Sequence, residues 1–220
     1  MSLLGSDDGS AAVPDAGWVA PAIGDEFPGL AVRFLVVDGG ARSSPRHVRD
    51  RLRDLSNRFS GAQVVNLRHQ PIPWAYRVFF RHVGLDPDTD RTPVEGVALE
   101  RMRRGGFISE NVVEDALTIA VAESGVALQA FDADRLEGRP GIRTSVPGER
   151  LAGRVTELEP GTLVMADESR PIGFLFGNIS ADHVVGKGTR RTALVAIQVQ
   201  GVPDISVEEA IWLAAGVMRS

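Results

Sequence analysis

The chain of 220 residues contains no cysteine, which excludes disulfides, thiolate zinc sites and a cysteine nucleophile. Lysine is nearly absent as well: Lys187 stands alone among 24 basic residues, so arginine supplies almost all of the positive charge. The four histidines, His47, His69, His82 and His183, show no metal-ligand spacing, and neither a metal nor a cofactor is expected. The longest apolar runs, such as residues 211–218, are far too short to span a bilayer. No basic flank and long apolar core open the chain, which predicts a cytoplasmic protein without membrane contact. Also missing are a Gly-x-Ser-x-Gly elbow, a His-Glu-x-x-His pair, a Gly-x-Gly-x-x-Gly turn and an EF-hand loop. Gly186-Lys187-Gly188-Thr189 lacks the upstream glycine of a phosphate loop, because Ala181 stands there, and reads as a turn with a solvated lysine.

What is present is a soluble globular composition, 43% hydrophobic and 24% charged with a net charge of −5. That suffices for one substantial core. The charge is uneven: residues 31–106 hold 14 basic and 8 acidic groups, whereas residues 107–185 hold 6 and 13. The arginine-rich segment either contacts phosphates through its bidentate guanidinium groups or simply solvates helix faces.

Residues 1–20 are rich in Gly, Ser, Ala and Asp without periodicity and read as a flexible tail, leaving 21–220 as a single domain. Residues 31–37 form an apolar run closed by Asp38-Gly39-Gly40, a buried strand and its turn. After Ser44-Pro45, residues Val48, Leu52, Leu55 and Phe59 share one helical face, and Gly61 ends that helix. A second helix over 74–83 carries Trp74, Val78 and Phe79 on its stripe. A third opens with the capping box Thr92-Pro93-Val94-Glu95, buries Val94, Ala98 and Met102, and stops at Gly105-Gly106. The clearest helix runs from a Ser109 or Asn111 cap to Gly125. Short strands follow at 126–130, 142–146, 161–166, 172–176 and 192–199, and a capping box at Ser206-Val207-Glu208-Glu209 starts the last helix. A strand, several helices and then many strands indicate the α+β class.

Two constellations carry candidate chemistry. Asn178, Asp182 and His183 fall within six residues of a loop between apolar strands, a pattern that either orients a water and its proton or makes an ordinary polar turn. Asn111, Glu114 and Asp115 open the clearest helix, where acidic residues also satisfy the helix dipole. The functional version has Asn111 and the free amides of that turn hold a carbonyl or phosphate, with Glu114 projecting into a pocket.

Pro73-Trp74-Ala75-Tyr76-Arg77, Thr92-Pro93-Val94-Glu95, residues 101–106, Asn111-Val112-Val113, Pro147-Gly148-Glu149 and Leu163-Val164-Met165-Ala166-Asp167 stand in an order that resembles the B3/B4 domain of the phenylalanyl-tRNA synthetase beta subunit. The likeness, strongest to the free-standing proteins built from that domain, runs from about Gly24 to about Gly201. The resemblance implies a three-layer α+β fold and a cleft that, in the synthetase, hydrolyses tyrosine wrongly attached to the tRNA for phenylalanine. Carried over onto this sequence, Asn111 matches an asparagine opening the central helix, Gln129 stands where the synthetase has a pocket histidine, and Asp182 falls near the acidic residue of the editing loop. Two departures bear on activity. Leu117 or a neighbour replaces the asparagine of the free-standing family's helix, and glutamine at 129 hydrogen-bonds but is no general base.

Three functions follow as expectations. The first is hydrolysis of mischarged or unusual aminoacyl-tRNA in trans, with Asn111, Gln129, Asp182 and His183 as catalytic residues, and Glu114 and Asn178 binding substrate. The alternative is a tRNA, RNA or amino-acid binding protein that kept the fold and lost the chemistry. A transfer reaction on an aminoacyl-tRNA is the third. Hydrolysis through those residues requires Asn111, Gln129 and Asp182 to meet at one cavity, and RNA contact requires Arg46, Arg49, Arg53, Arg101, Arg103 and Arg104 to form one patch beside it.

Overall fold

A computed structural model describes residues 12–59, 64 and 66–220. The first antiparallel sheet has the strand order β1-β3-β8-β4, built from β1 (Asp15–Ala16), β3 (Ala31–Asp38), β8 (Arg191–Gln198) and β4 (Ala127–Asp132). Its long seam runs from Ala31 opposite Gln198 to Asp38 opposite Arg191. The second sheet has the order β2-β5-β6-β7: β2 (Trp18–Val19) lies parallel to β5 (Gly141–Thr144), and β6 (Leu163–Ala166) and β7 (Pro171–Phe174) continue antiparallel.

Six helices are named among the described residues: α1 (Pro21–Glu26), α2 (Arg46–Arg58), α3 (Pro71–His82), α4 (Pro93–Arg104), α5 (Val112–Ser124) and α6 (Asp204–Arg219). Helix α6 packs on β8 and β3, and α5 packs on α6 and β4. On the opposite face of the first sheet, Phe131 and Gln129 of β4 point at the β7 hairpin. Helices, first sheet and second sheet therefore make three layers, the α+β arrangement implied by the resemblance. Residues of both sheets join one buried cluster. Among the described residues no helix is long and apolar enough to cross a membrane.

Local sequence explains most of these elements. Asn111 is extended and its Oδ1 accepts from the amides of Val113 and Glu114, while Gly125 at φ 76 closes α5 in the left-handed region. Thr92 donates through its main-chain amide to Glu95 at 3.3 Å, as a capping box requires. Helix α2 ends at Arg58 with Phe59 as its C-cap, earlier than the expected stop at Gly61, which itself lies outside the described residues.

Four expectations need correction. Strands β1 and β2 occupy part of the stretch read as a tail, because their pairing is with distant segments that periodicity cannot reveal: Asp15 sits opposite Phe34, and the Trp18 indole lies on Gly141 and donates to the Arg139 carbonyl at 2.8 Å. Helix α3 starts at Pro71 and turns Tyr76, Phe79 and Phe80 inward, leaving Trp74 47% exposed. Met102 of α4 is likewise 50% exposed, since the face that reaches the core is that of Val94, Val97 and Ala98. Helix α6 begins at Asp204 after Pro203, not at Ser206, and the Asp204 carboxylate instead accepts from Gln198 at 2.6 Å.

Candidate functional site

The largest features near the second sheet are two grooves that meet. One, of about 560 Å³, runs between α1, the end of α3 and the β6–β7 hairpin, with Phe27, Phe79, Phe174 and Phe176 as its apolar lining and His82, Thr144, Glu159 and Thr162 as its polar lining. The other, of about 600 Å³, lies over the outer face of α3 against Pro28, Trp74 and Gly201. Glu26, Phe27, Phe79 and His82 line both.

The aromatic wall is built mostly edge to face, with Phe80 tilted 35° against Phe176. Phe27 meets Phe79 at 5.4 Å, and Phe176 packs against Tyr76, Phe79 and Phe80 with ring centroids 5.8, 5.9 and 5.3 Å away. Phe176 pays for this position with its backbone, for φ is 61, a left-handed conformation that a bulky residue rarely adopts. Beneath it, Tyr76 is fully buried, its hydroxyl donating to the Ile197 carbonyl at 2.6 Å and accepting from the Ala127 amide at 3.0 Å. Burial pushes the Tyr76 hydroxyl's pKa above its ordinary value. Arg77, on the next position, is buried and bridges Asp88 at 2.6 Å and Glu95 at 2.7 Å, tying the loop after α3 to α4. Burial works against its charge, but the two carboxylates more than offset it and raise its pKa.

Gln129 borders the groove without lining it. Its Nε2 donates to the carbonyls of Phe174 at 3.2 Å and Gly177 at 3.0 Å, so the side chain holds the hairpin turn whose phenylalanines form the groove wall. Its Oε1 is buried without a hydrogen-bond partner.

The loop constellation separates. A 3₁₀ turn over Ala181–His183 sends neighbouring side chains in opposite directions. Asp182 is exposed and 3.6 Å from Arg170, whereas His183 is fully buried, 3.8 Å from the equally buried Asp167, with neither ring nitrogen hydrogen-bonded. Burial lowers the His183 pKa, Arg170 acts in the same direction, and Asp167 pulls back only in part. Asp167 is held below the usual carboxylate range: burial opposes this, but the amides of Glu137, Ser169 and Arg170 outweigh it. Asn178 is exposed at the hairpin, where its carbonyl accepts from Phe174 at 3.0 Å.

The helix-start constellation is a third place. Asn111 itself satisfies the amides expected to hold a ligand, which leaves them committed to the cap. Glu114 and Asp115 do reach a hollow, of about 140 Å³, between α4 and α5, shared with Glu100, Arg101, Arg104 and Glu110. Glu114 is exposed overall, yet partial loss of water around its carboxyl group, together with Glu110 and Asp115, raises its pKa. Neither the two grooves nor this hollow is lined by Asn111, Asn178, Gln129, Asp182 or His183, so the required meeting of Asn111, Gln129 and Asp182 does not occur there.

The six arginines sit on α2 and α4, which touch through Arg101 donating to the Ser56 carbonyl at 2.8 Å. Three of them meet carboxylates: Arg53 pairs with Asp50 at 2.9 Å, Arg46 with the same Asp50 at 3.6 Å, and Arg104 with Glu100 and Glu110. Arg49 and Arg103 are exposed, and none of the six lines either groove. The groove residues themselves were hidden in the sequence, where Phe174-Leu175-Phe176 reads as the end of a strand and His82 as a helix-surface residue. The two phenylalanines beside Gly177-Asn178 were the available signal.

Known proteins resemble part of this chain. It is 38% identical over 116 residues to the phenylalanine–tRNA ligase beta subunit of Xanthomonas oryzae, a segment that makes up 50% of this chain and 14% of that protein. The corresponding subunit of Hahella chejuensis is 33% identical over 88 residues, and that of Idiomarina loihiensis 37% over 76 residues, covering 11% and 10% of those proteins. The chain thus spans a small part of the relatives' length. The sequence pattern that defines the B3/4 domain matches residues 75–210, more than half of the chain, and the protein belongs to the B3/4 domain family.

Proposed function

We propose that the groove between α1, α3 and the β6–β7 hairpin receives the aminoacylated 3′ end of a tRNA, and that the amino acid is released there by ester hydrolysis in trans. Membership of a family whose relatives are phenylalanine–tRNA ligase beta subunits supports the tRNA connection. The observation that carries the reading is the pairing of an apolar wall, Phe27, Phe79, Phe174 and Phe176, with a polar one, Thr144, Thr162, Glu159 and His82, in a space of about 560 Å³. That is the build of a small-molecule site, apolar with a few convergent polar groups.

In this reading a water oxygen attacks the ester carbonyl carbon and gives its proton to His82 or Glu159. Thr144 donates a hydrogen bond to the developing oxyanion, the Thr162 hydroxyl being committed to the Glu159 carbonyl at 2.7 Å, and the bond to the ribose oxygen breaks as that oxygen takes the proton back from His82 or Glu159. Free amino acid and tRNA leave. Gln129 acts as a positioning residue through the turn it holds. Binding without hydrolysis is the second reading, favoured because Gln129 spends its amide on that turn and because Glu26, His82 and Glu159 are all exposed to water, which screens them.

The test is a panel of tRNAs charged with different amino acids, scored for release by wild type, Phe174→Ala, His82→Ala, Asn111→Ala and Asp182→Ala. The expected result is release of one or a few amino acids, lowered about 10²-fold by His82→Ala and lost with Phe174→Ala. Loss in Asn111→Ala and Asp182→Ala with activity kept in His82→Ala would return the chemistry to the residues that the sequence suggested. No release from any tRNA, with salt-dependent tRNA binding, would establish the second reading.

A further inference from the structure

A separate hollow of about 320 Å³, beside α3, α4 and the loop that joins them, brings three guanidinium groups, Arg68, Arg77 and Arg91, against two carboxylates, Asp88 and Glu95. Arg77 is its fixed centre: the side chain is 4% exposed, and Nη1 donates to Glu95 at 2.7 Å and to the Pro87 carbonyl at 3.3 Å. The other edge of that guanidinium plane, Nε with Nη2, offers two parallel donors suited to two oxygens of one anion. Arg51 uses this edge fully, giving Nε and Nη2 to the two carboxylate oxygens of Glu123. In Arg77 only Nη2 is engaged, by one oxygen of Asp88 at 2.6 Å, while Nε is buried without a hydrogen-bond partner. A buried donor without an acceptor is unfavourable, so the edge is only half satisfied.

The two carboxylates differ in how firmly they are held. The second oxygen of Glu95 serves the Thr92 cap, and its side chain is 11% exposed. Asp88 stands on the loop after α3 with its side chain 58% exposed, where the hydrogen bond from Arg77, with the nearby charges of Arg91 and Arg68, holds its carboxyl below the usual range. We infer that this hollow is a site for a dianionic phosphate group, which takes the place of the Asp88 carboxylate, accepts from Nε and Nη2 of Arg77 together and turns its remaining oxygens to Arg68 and Arg91. Charge sets the class. With Asp88 in place, three cations meet two anions; with Asp88 turned out to solvent, two positive charges stand unanswered, which matches a phosphate monoester near neutral pH. The volume leaves room for the phosphate and part of the group it esterifies. The hollow shares no lining residue with either groove, so the inference stands whether or not an amino acid is released there.

The test is calorimetric titration of the full chain with inorganic phosphate, methyl phosphate and dimethyl phosphate, with the Arg77 Nε–H resonance followed in parallel. The two dianions are expected to saturate and to shift that resonance, and the singly charged diester to bind about tenfold more weakly. Asp88→Asn should tighten phosphate binding about tenfold, because it removes the competing charge, an effect that a merely structural aspartate would not produce. Arg91→Gln should weaken it about fivefold, the smaller change reflecting an exposed cation. Arg49→Gln, at another exposed arginine on α2, should change nothing. Asp88 and Arg91 are on the surface, and matching thermal melts exclude a folding defect. Stronger binding of inorganic phosphate than of methyl phosphate would make the free ion the ligand, and the reverse order would place the phosphate on a larger molecule. No saturation with either dianion, equal binding of the diester, an Asp88→Asn variant that binds no more tightly, or equal losses in Arg49→Gln and Arg91→Gln would each overturn the inference.

Discussion

Strands β8 and β7 belong to the two sheets of one core, but only β8 is committed wholly to it. Every residue from Thr192 to Gln198 is buried, with β3 and β4 on its edges and α6 on one face. Strand β7 runs instead into a turn where Phe174, Leu175 and Phe176 stay partly exposed and Phe176 adopts φ 61. A strand covered on all sides can be a continuous apolar run. A hairpin that must leave aromatic surface open needs outside support, which here comes from Gln129 below and from Tyr76, Phe79 and Phe80 beside it. The difference teaches that the helix-backed half supplies stability and lets the hairpin half keep strain and exposed apolar area, the combination a binding groove needs.

Substitutions should break this division unequally. Leu194→Ala, in the middle of β8, is expected to cost about 2–5 kcal/mol in denaturant unfolding, through lost burial and the cavity left behind. Tyr76→Phe tests the stitch between the halves: without the hydroxyl, the Ile197 carbonyl and the Ala127 amide lose a buried partner, for about 1–3 kcal/mol by the same measurement. On the groove side Phe174→Ala should cost only about 1–2 kcal/mol, since the ring is partly exposed already, while abolishing amino-acid release. An equal loss of stability at Leu194 and Phe174 would erase the distinction.

The smallest effect sharpens it through pH. His183 is buried neutral with its pKa lowered from 6.5, so below that value the unfolded chain binds a proton that the folded one does not. Its contribution therefore makes stability rise with pH and fall as pH drops from about 6.5 toward the lowered value. Thermal melts across pH 5 to 7 should show a shallower slope in His183→Leu than in wild type. An unchanged slope would mean that His183 is protonated or paired with Asp167 when folded.

Much of this fold was legible because the signals were local. Helical spacing marked α2 and α5, the Asn111 cap and the Thr92 capping box marked helix starts, and the apolar runs marked β3 and β8. Illegible features depended on distant partners. Trp74 and Met102 look like core residues by type, yet both stay about half exposed, and β1 and β2 exist only because β3 and β5 lie alongside. The site divides in the same way. Gln129 was singled out and does stand beside the groove, but it works on the turn through two carbonyls. Asp182 and His183 looked like one constellation because they are adjacent, and the 3₁₀ turn gives one to solvent and the other to the core. Phe27, Phe79 and Phe174 come together from three separate elements, a convergence that no spacing in the sequence announces.

The central claim is that the groove under Phe174 and Phe176 takes the aminoacyl end. Titrating the isotopically labelled chain with a non-hydrolysable aminoacyl-adenosine analogue and following its amide resonances tests it most directly. The account predicts saturable shifts at Phe27, Phe79, Thr144 and the Phe174–Gly177 turn, with Asn111 and Glu114 unmoved. Shifts centred on the hollow between α4 and α5, or none at any residue, would contradict it.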